Sequence, residues 1–323
     1  MNETDRVLVA GHRGLVGGAL LRRVEQEGFK EIVVCDRDEV DLTIGARVLE
    51  YFESLRPALV FLAAARVGGI QANSRYPADF IRDNLQIQTN VIDAAWRSGA
   101  KKLCFLGSSC IYPPHARQPM KEEYLLTGPL EPTNESYAIA KIAGIKMVQA
   151  YRRQHGFKGI CLQPTNLYGP GDNFALQSSH VLPALIRRFH EAKDRGESEV
   201  TIWGTGTPRR EFMHVDDLAD AAIFLMRNYD DKEVINVGVG KDVTISALAR
   251  LVADVVGFHG AILQDAKWPD GPPRRLLDVS RLHAMGWKAK IELREGVAQT
   301  YRWFLDQDPK NLRLGGEDMA RSA

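Results

Sequence analysis

The chain has 323 residues, enough for two domains, and its 45% hydrophobic content leaves ample material for a buried core. A formal net charge of +1, with no basic tract, argues against nucleic acid or an anionic membrane as the main partner, because both are bound through clustered Lys and Arg. No apolar run approaches the ~20 residues that span a bilayer. The polar stretch at 1–6 is unlike a signal peptide. The four cysteines (Cys35, Cys104, Cys110, Cys161) lack the CxxC spacing of a zinc site or a disulfide framework. A metal-free protein of the reducing cytoplasm is the expectation.

Residues 6–10 predict a strand, 14–27 a helix and 31–35 a second strand. Thr43 is placed to cap a helix running to about residue 55, followed by a strand at 58–62. Pro77 suits the first turn of a helix reaching Gly99. A strand at 102–106, a helix at 136–155 and a strand at 159–163 follow. Strands alternating with helices in this way predict βαβ units and an α/β fold, a doubly wound parallel sheet of Rossmann type with ligands at the carboxyl ends of its strands. Beyond Pro164 the rhythm loosens. Residues 164–180 read as loop, 181–195 as helix, 200–203 as strand, and a helix starts at Val215. A strand at 234–237 is expected to rejoin the main sheet, and helices at 245–256 and 294–305 complete a smaller lobe. The organisation expected is a dinucleotide-binding domain over 1–170 plus about 212–240, a smaller α/β substrate domain over 171–211 plus 241–306, and a tail from 307 to 323.

The first strand ends in Gly11-His12-Arg13-Gly14-Leu15-Val16-Gly17. A glycine-rich turn between strand and helix lets the backbone approach a pyrophosphate, and the helix N-terminus stabilises its charge. Arg13 inside the turn and Arg37 after the second strand are guanidinium forks suited to an adenosine 2′-phosphate. Asp36 stands where an acid binds the free 2′-hydroxyl of NAD. NADP(H) is the expected cofactor, with the two arginines turning Asp36 aside.

Tyr137 and Lys141 are four residues apart on one helical face. A cation beside a phenol is expected to lower its pKa from about 10, and the phenol can then protonate a carbonyl as hydride arrives. Ser108 follows the fourth strand, at the sheet edge where it can hydrogen-bond the same carbonyl oxygen. The ordered set Ser, Tyr, Lys resembles the short-chain dehydrogenases.

Longer segments carry a narrower resemblance. They are Ala10-Gly-His-Arg-Gly-Leu-Val-Gly17, Ala63-Ala-Ala-Arg-Val-Gly-Gly-Ile70, Leu106-Gly-Ser-Ser-Cys-Ile-Tyr-Pro113 and Glu131-Pro-Thr-Asn-Glu-Ser-Tyr-Ala-Ile-Ala-Lys141. Pro164-Thr-Asn-Leu-Tyr-Gly-Pro170 and Trp203-Gly-Thr-Gly-Thr-Pro-Arg-Arg-Glu-Phe-Met-His214 complete the set. Over nearly its whole length the chain resembles the GDP-L-fucose synthase family of extended short-chain dehydrogenases. The resemblance implies 3,5-epimerisation and NADPH-dependent 4-reduction of GDP-4-keto-6-deoxy-D-mannose. It also implies that Cys110 is the epimerising base and His180 the acid. To the cofactor it assigns Asp41, Leu42, Ala63, Ala64, Ala65, Pro164, Asn166, Leu167 and His180 beside the groups already named. To the GDP-sugar it assigns Arg188, Trp203, Arg210 and Asp270. A homodimer formed through a helix pair is implied too, for which the amphipathic helices 77–99 and 136–155 are suitable. The main departure from the family is Cys35-Asp36-Arg37.

Four rivals stand beside this reading. A dehydratase of this fold needs acidic residues where this chain has Ser108-Ser-Cys110, and a 4-epimerase needs no Cys–His pair. A synthase of a related GDP-6-deoxy or 3,6-dideoxy sugar would share every motif above. A non-catalytic dinucleotide-binding protein keeps the glycine turn but usually loses Tyr or Lys, and both are present here.

Overall fold

The computed structural model describes residues 1–176, 178–268, 270–308 and 312, so most of the expected tail lies outside the described residues. Six parallel strands form the main sheet: β1 (Val7–Ala10), β2 (Ile32–Cys35), β3 (Leu59–Leu62), β4 (Lys102–Leu106), β5 (Gly159–Pro164) and β9 (Ile235–Val237). Their order is β2-β1-β3-β4-β5-β9, every neighbouring pair parallel. Apart from the half-buried edge strand β2, the strands are buried and mostly apolar, as a sheet covered on both faces requires. The chain reverses its winding between β1 and β3. In open α/β sheets that switch point opens a crevice at the carboxyl edge.

Helices α2 (Gly45–Leu55), α4 (Pro77–Arg97) and α5 (Glu135–His155) cover one face, and α1 (Leu15–Gln26) and α7 (Val215–Asn228) the other. A third core lies among α6 (Val181–Asp194), α8 (Ile245–Val256) and α10 (Leu293–Asp306). Around it run β6 (Asn166–Tyr168), β7 (Glu199–Trp203), β8 (Arg209–His214), β10 (Asp242–Thr244), β11 (Ala261–Asp265) and β12 (Arg274–Arg275). β8 is the hub, pairing with β6, β10 and β12, while β7 and β11 pair with each other. Short helices α3 (Ile70–Arg75) and α9 (Ser280–Ala284) complete the fold.

The expected strands and long helices are present within a few residues of their expected bounds, and β9 does rejoin the main sheet. Thr43 does not cap α2. Ile44 holds the cap position, and Thr43 instead turns its hydroxyl and N–H onto Asp41 Oδ1, at 2.7 and 2.9 Å. The stretch 164–180 is not wholly loop, since it contains β6. β8 has no counterpart among the expected strands because its buried members include Glu211 and His214, which break the apolar signature of a strand.

The glycine turn is built by close approach. Gly11 has φ +90°, and a Cβ there would lie 2.5 Å from the Ala64 nitrogen at the end of β3. A Cβ at Gly17 would run into the Gly11 carbonyl, so α1 can pack onto the turn only with glycine there. Gly17→Ala is therefore expected to destabilise the fold by about 2–3 kcal/mol and to weaken NADPH binding. An unchanged denaturation midpoint in urea would contradict this packing account.

Candidate active site

At the cofactor end, Gly14 holds the N-cap of α1 with no side-chain cap, which leaves first-turn N–H groups without one. A Cβ on Gly14 would meet only the Gly11 carbonyl oxygen, at 3.4 Å, so the protein's own packing leaves its outer side open. Uncapped donors at the positive end of a twelve-residue helix fit a pyrophosphate. Ala63, Ala64 and Ala65 leave β3 directly opposite Gly11, with the Ala63 N–H donating to the Ala10 carbonyl at 3.0 Å.

Asp36 lies at the tip of β2, where the acid was expected. Arg13 Nε stands 2.7 Å from its Oδ1 and His12 Nε2 3.4 Å from the same oxygen. The carboxylate is thus already countered by charge from the turn. Arg37 reaches instead toward Asp41, 3.8 Å away. Asp41 also anchors Thr43, and the Leu42 carbonyl accepts the Asn90 amide at 2.9 Å, so this loop is set from within. With Asp36 occupied by Arg13, the site fits a cofactor carrying a 2′-phosphate. Arg13→Ala should release Asp36 for a ribose hydroxyl and lower the NADPH-to-NADH preference by about tenfold or more, the scale of one charged hydrogen bond. A preference ratio equal to that of the parent protein would place selection elsewhere.

The reacting groups meet at the carboxyl edge of β4. Ser108 leaves the strand and accepts the Cys110 N–H on its hydroxyl at 3.3 Å. That hydroxyl also lies near enough to the Tyr137 phenol and the Cys110 thiol to oppose the effect of burial on each, so the three side chains form one cluster. Lys141, one turn beyond Tyr137 on α5, is buried, with Nζ donating to the Leu106 carbonyl at 2.8 Å and lying 5.7 Å from the Tyr137 ring centre. Phe80 meets Tyr137 edge to face, with ring centres 6.4 Å apart.

Burial governs the charges here. It holds the Lys141 pKa down at about 8, against the attraction of Cys110. Desolvation, and then the neighbouring Cys110, push the Tyr137 phenol well above its ordinary value. The lowering expected from the lysine is therefore reversed, because burial of the phenolate dominates and only Ser108 opposes it. Desolvation likewise raises Cys110, opposed by Ser108, Arg275 and Lys141. His180, at the N-cap of α6, keeps an exposed face, while the protein around it desolvates the imidazolium and lowers its pKa. At neutral pH the free site therefore holds a neutral phenol, a thiol and a neutral imidazole.

Pro164 ends β5 and Leu167 lies in β6 against the core beneath the cofactor turn. Asn166 donates from Nδ2 to the Glu211 carbonyl at 2.8 Å, which ties β6 to β8. On the other wall, Arg188 of α6 lies 4.6 Å over the Trp203 ring and donates to the Thr201 carbonyl at 3.2 Å. Trp203 in turn stacks on Trp268 at 4.4 Å and 15°. Arg210 is held down to about 10 by burial and by the nearby Arg275, with Asp270 opposing. Asp270 itself is engaged by Thr205, whose N–H and hydroxyl donate to it at 3.0 and 2.7 Å.

Sequence reasoning missed Gln163, Trp268, Glu211 and Arg275. Gln163, wholly buried at the end of β5, accepts the Ser108 N–H on Oε1 at 3.0 Å and so aims the serine. A polar side chain at the carboxyl end of a buried strand was the available signal. Trp268 and Arg275 lie in a Pro- and Gly-rich stretch whose pattern places them nowhere in particular.

Comparison with known proteins agrees with this geometry. Residues 7–238 match the model of the NAD dependent epimerase/dehydratase family. A probable GDP-L-fucose synthase of Oryza sativa subsp. japonica is 60% identical over 93% of this chain and 92% of its own length. The GDP-L-fucose synthase of Escherichia coli K12 is 52% identical over 95% and 98% of the two chains. Among solved structures, a GDP-L-fucose synthetase from Naegleria fowleri bound to NADP superposes with a TM-score of 0.88 at 27% identity, covering 97% of each chain. The chain therefore belongs to the NAD dependent epimerase/dehydratase family and, within it, to the GDP-L-fucose synthases.

Proposed function

We propose that the chain converts GDP-4-keto-6-deoxy-D-mannose into GDP-L-fucose by epimerising C3 and C5 and reducing C4. The observation that carries this reading is the single cluster of Tyr137, Ser108 and Cys110 at the carboxyl edge of β4, and His180, exposed at the N-cap of α6, is taken as the acid. Tyr137 and Ser108 hold the 4-keto oxygen. The negative charge that gathers on that oxygen when a proton leaves C3 or C5 is stabilised by the neutral phenol, whose O–H can donate where a phenolate could only accept. Both carbons flank one carbonyl, so one base and one acid on opposite faces serve both. Transfer of one proton from Cys110 to His180 arms the pair, and thiolate then removes the carbon proton while imidazolium delivers one to the other face. Each inversion leaves the pair reversed, and the open face of His180 lets solvent reset it. NADPH, when bound, supplies the hydride to C4. Tyr137 gives its proton to the developing alkoxide, and the charge on Lys141 eases that loss.

Arg188 and Trp203 suit the guanine end of the substrate, and Arg210, desolvated and beside Arg275, suits its diphosphate. The working form proposed is a cytoplasmic homodimer through the outer faces of α4 and α5. Incubation with GDP-4-keto-6-deoxy-D-mannose should consume NADPH in proportion to the sugar added. No consumption at saturating sugar would refute this substrate.

A further inference from the structure

Arg275 is absent from the mechanism above, yet the chain around it is unusually well fixed. β12 lies parallel to β8, with Arg275 opposite Arg210. Just beyond, the Leu276 N–H donates to Gln118 Oε1 at 2.8 Å and the Leu277 N–H to Glu211 Oε2 at 3.0 Å. Glu211 is wholly buried, and its other oxygen accepts the Val239 and Gly240 N–H groups at 2.7 and 2.6 Å. The Leu276 carbonyl accepts the Met120 N–H at 2.8 Å. These bonds clamp the backbone just beyond the strand, and from it the guanidinium reaches the turn that follows β4. Its Nη1 donates to the Ser109 carbonyl at 3.1 Å, one residue before Cys110.

That partner is a carbonyl and not a carboxylate, so the charge is not cancelled at contact. The groups facing the thiol are Tyr137 and Lys141 from α5 and Arg275 from β12, while Glu131 and Arg210 act on Arg275 itself. Of the two cations, the lysine loses its proton as pH rises through about 8, whereas a guanidinium stays charged throughout.

We propose that Arg275 is the positioning residue of the epimerising base, gripping the Ser109 carbonyl to set the Cys110 turn and supplying the permanent positive charge that stabilises the Cys110 thiolate. This rests on the reading of Cys110 as the base. It makes the small lobe part of the proton-transfer machinery, where otherwise it would only hold the nucleotide.

The test is the thiolate absorbance of Cys110 in the ultraviolet, taken as the difference between each protein and its Cys110→Ser counterpart. Arg275→Gln should raise the titration midpoint by about one pH unit, the scale of losing an adjacent opposite charge. It should also slow solvent deuterium uptake at neutral pH about tenfold, while Arg275→Lys keeps most of both. NADPH binding reports an intact fold, and Arg275→Met repeats the neutral arm if Arg275→Gln loses it. A midpoint unmoved in the neutral variant overturns the proposal, and so does Arg275→Lys behaving like Arg275→Gln. Full deuterium uptake by Cys110→Ser alone would instead overturn the reading of Cys110 as the base, and the proposal with it.

Discussion

Tyr137→Phe is expected to slow reduction of the keto sugar by about a hundredfold or more, the usual contribution of a placed general acid, with NADPH affinity nearly unchanged. The substitution removes one oxygen and keeps the ring that packs edge to face on Phe80. What disappears is the proton donor beside Ser108. Because burial keeps the phenol protonated, the parent enzyme meets its substrate as an acid ready to donate. In the variant the developing alkoxide must take its proton from water in a site that Ser108 alone helps to stabilise. Single-turnover NADPH oxidation measures the step directly, and a rate equal to the parent's would remove Tyr137 from the reaction.

Cys110→Ser has the second large effect. It should suppress deuterium uptake at C3 and C5 by about two orders of magnitude or more, while NADPH still binds. Serine is nearly isosteric and can keep the contact with Ser108. Its hydroxyl, however, cannot ionise near neutrality, whereas a thiol with an ordinary pKa near 8.5 can when cations face it. Mass spectrometry of recovered sugar after incubation in deuterated water gives the answer. Full incorporation by the variant would assign proton abstraction to another group.

The parts of the fold that could be read from the sequence share a physical cause. Buried parallel strands such as Val7–Ala10 and Leu59–Leu62 must be apolar, and the glycine turn must admit backbone where no Cβ fits, so both leave marks in composition. Ser108, Tyr137 and Lys141 were legible because their spacing follows from a strand edge and a helix face. β8 was not, because Glu211 is satisfied by backbone N–H groups that come from distant turns. The reach of Arg275 depends on the same long-range clamp. The direction of the Tyr137 shift was also hidden, since proximity to Lys141 is visible in sequence and the extent of desolvation is not.

The most direct test of the account is the identity of the product. GDP-4-keto-6-deoxy-D-mannose should be incubated with the enzyme and either NADPH or NADH, and the sugar assigned by proton NMR. GDP-L-fucose, formed faster with NADPH, is the predicted result and requires the epimerising pair, the reductive cluster and the arginine-lined turn together. A 4-reduced sugar that retains its original configuration at C3 and C5 would contradict it, leaving a reductase whose Cys110 and His180 do not move protons.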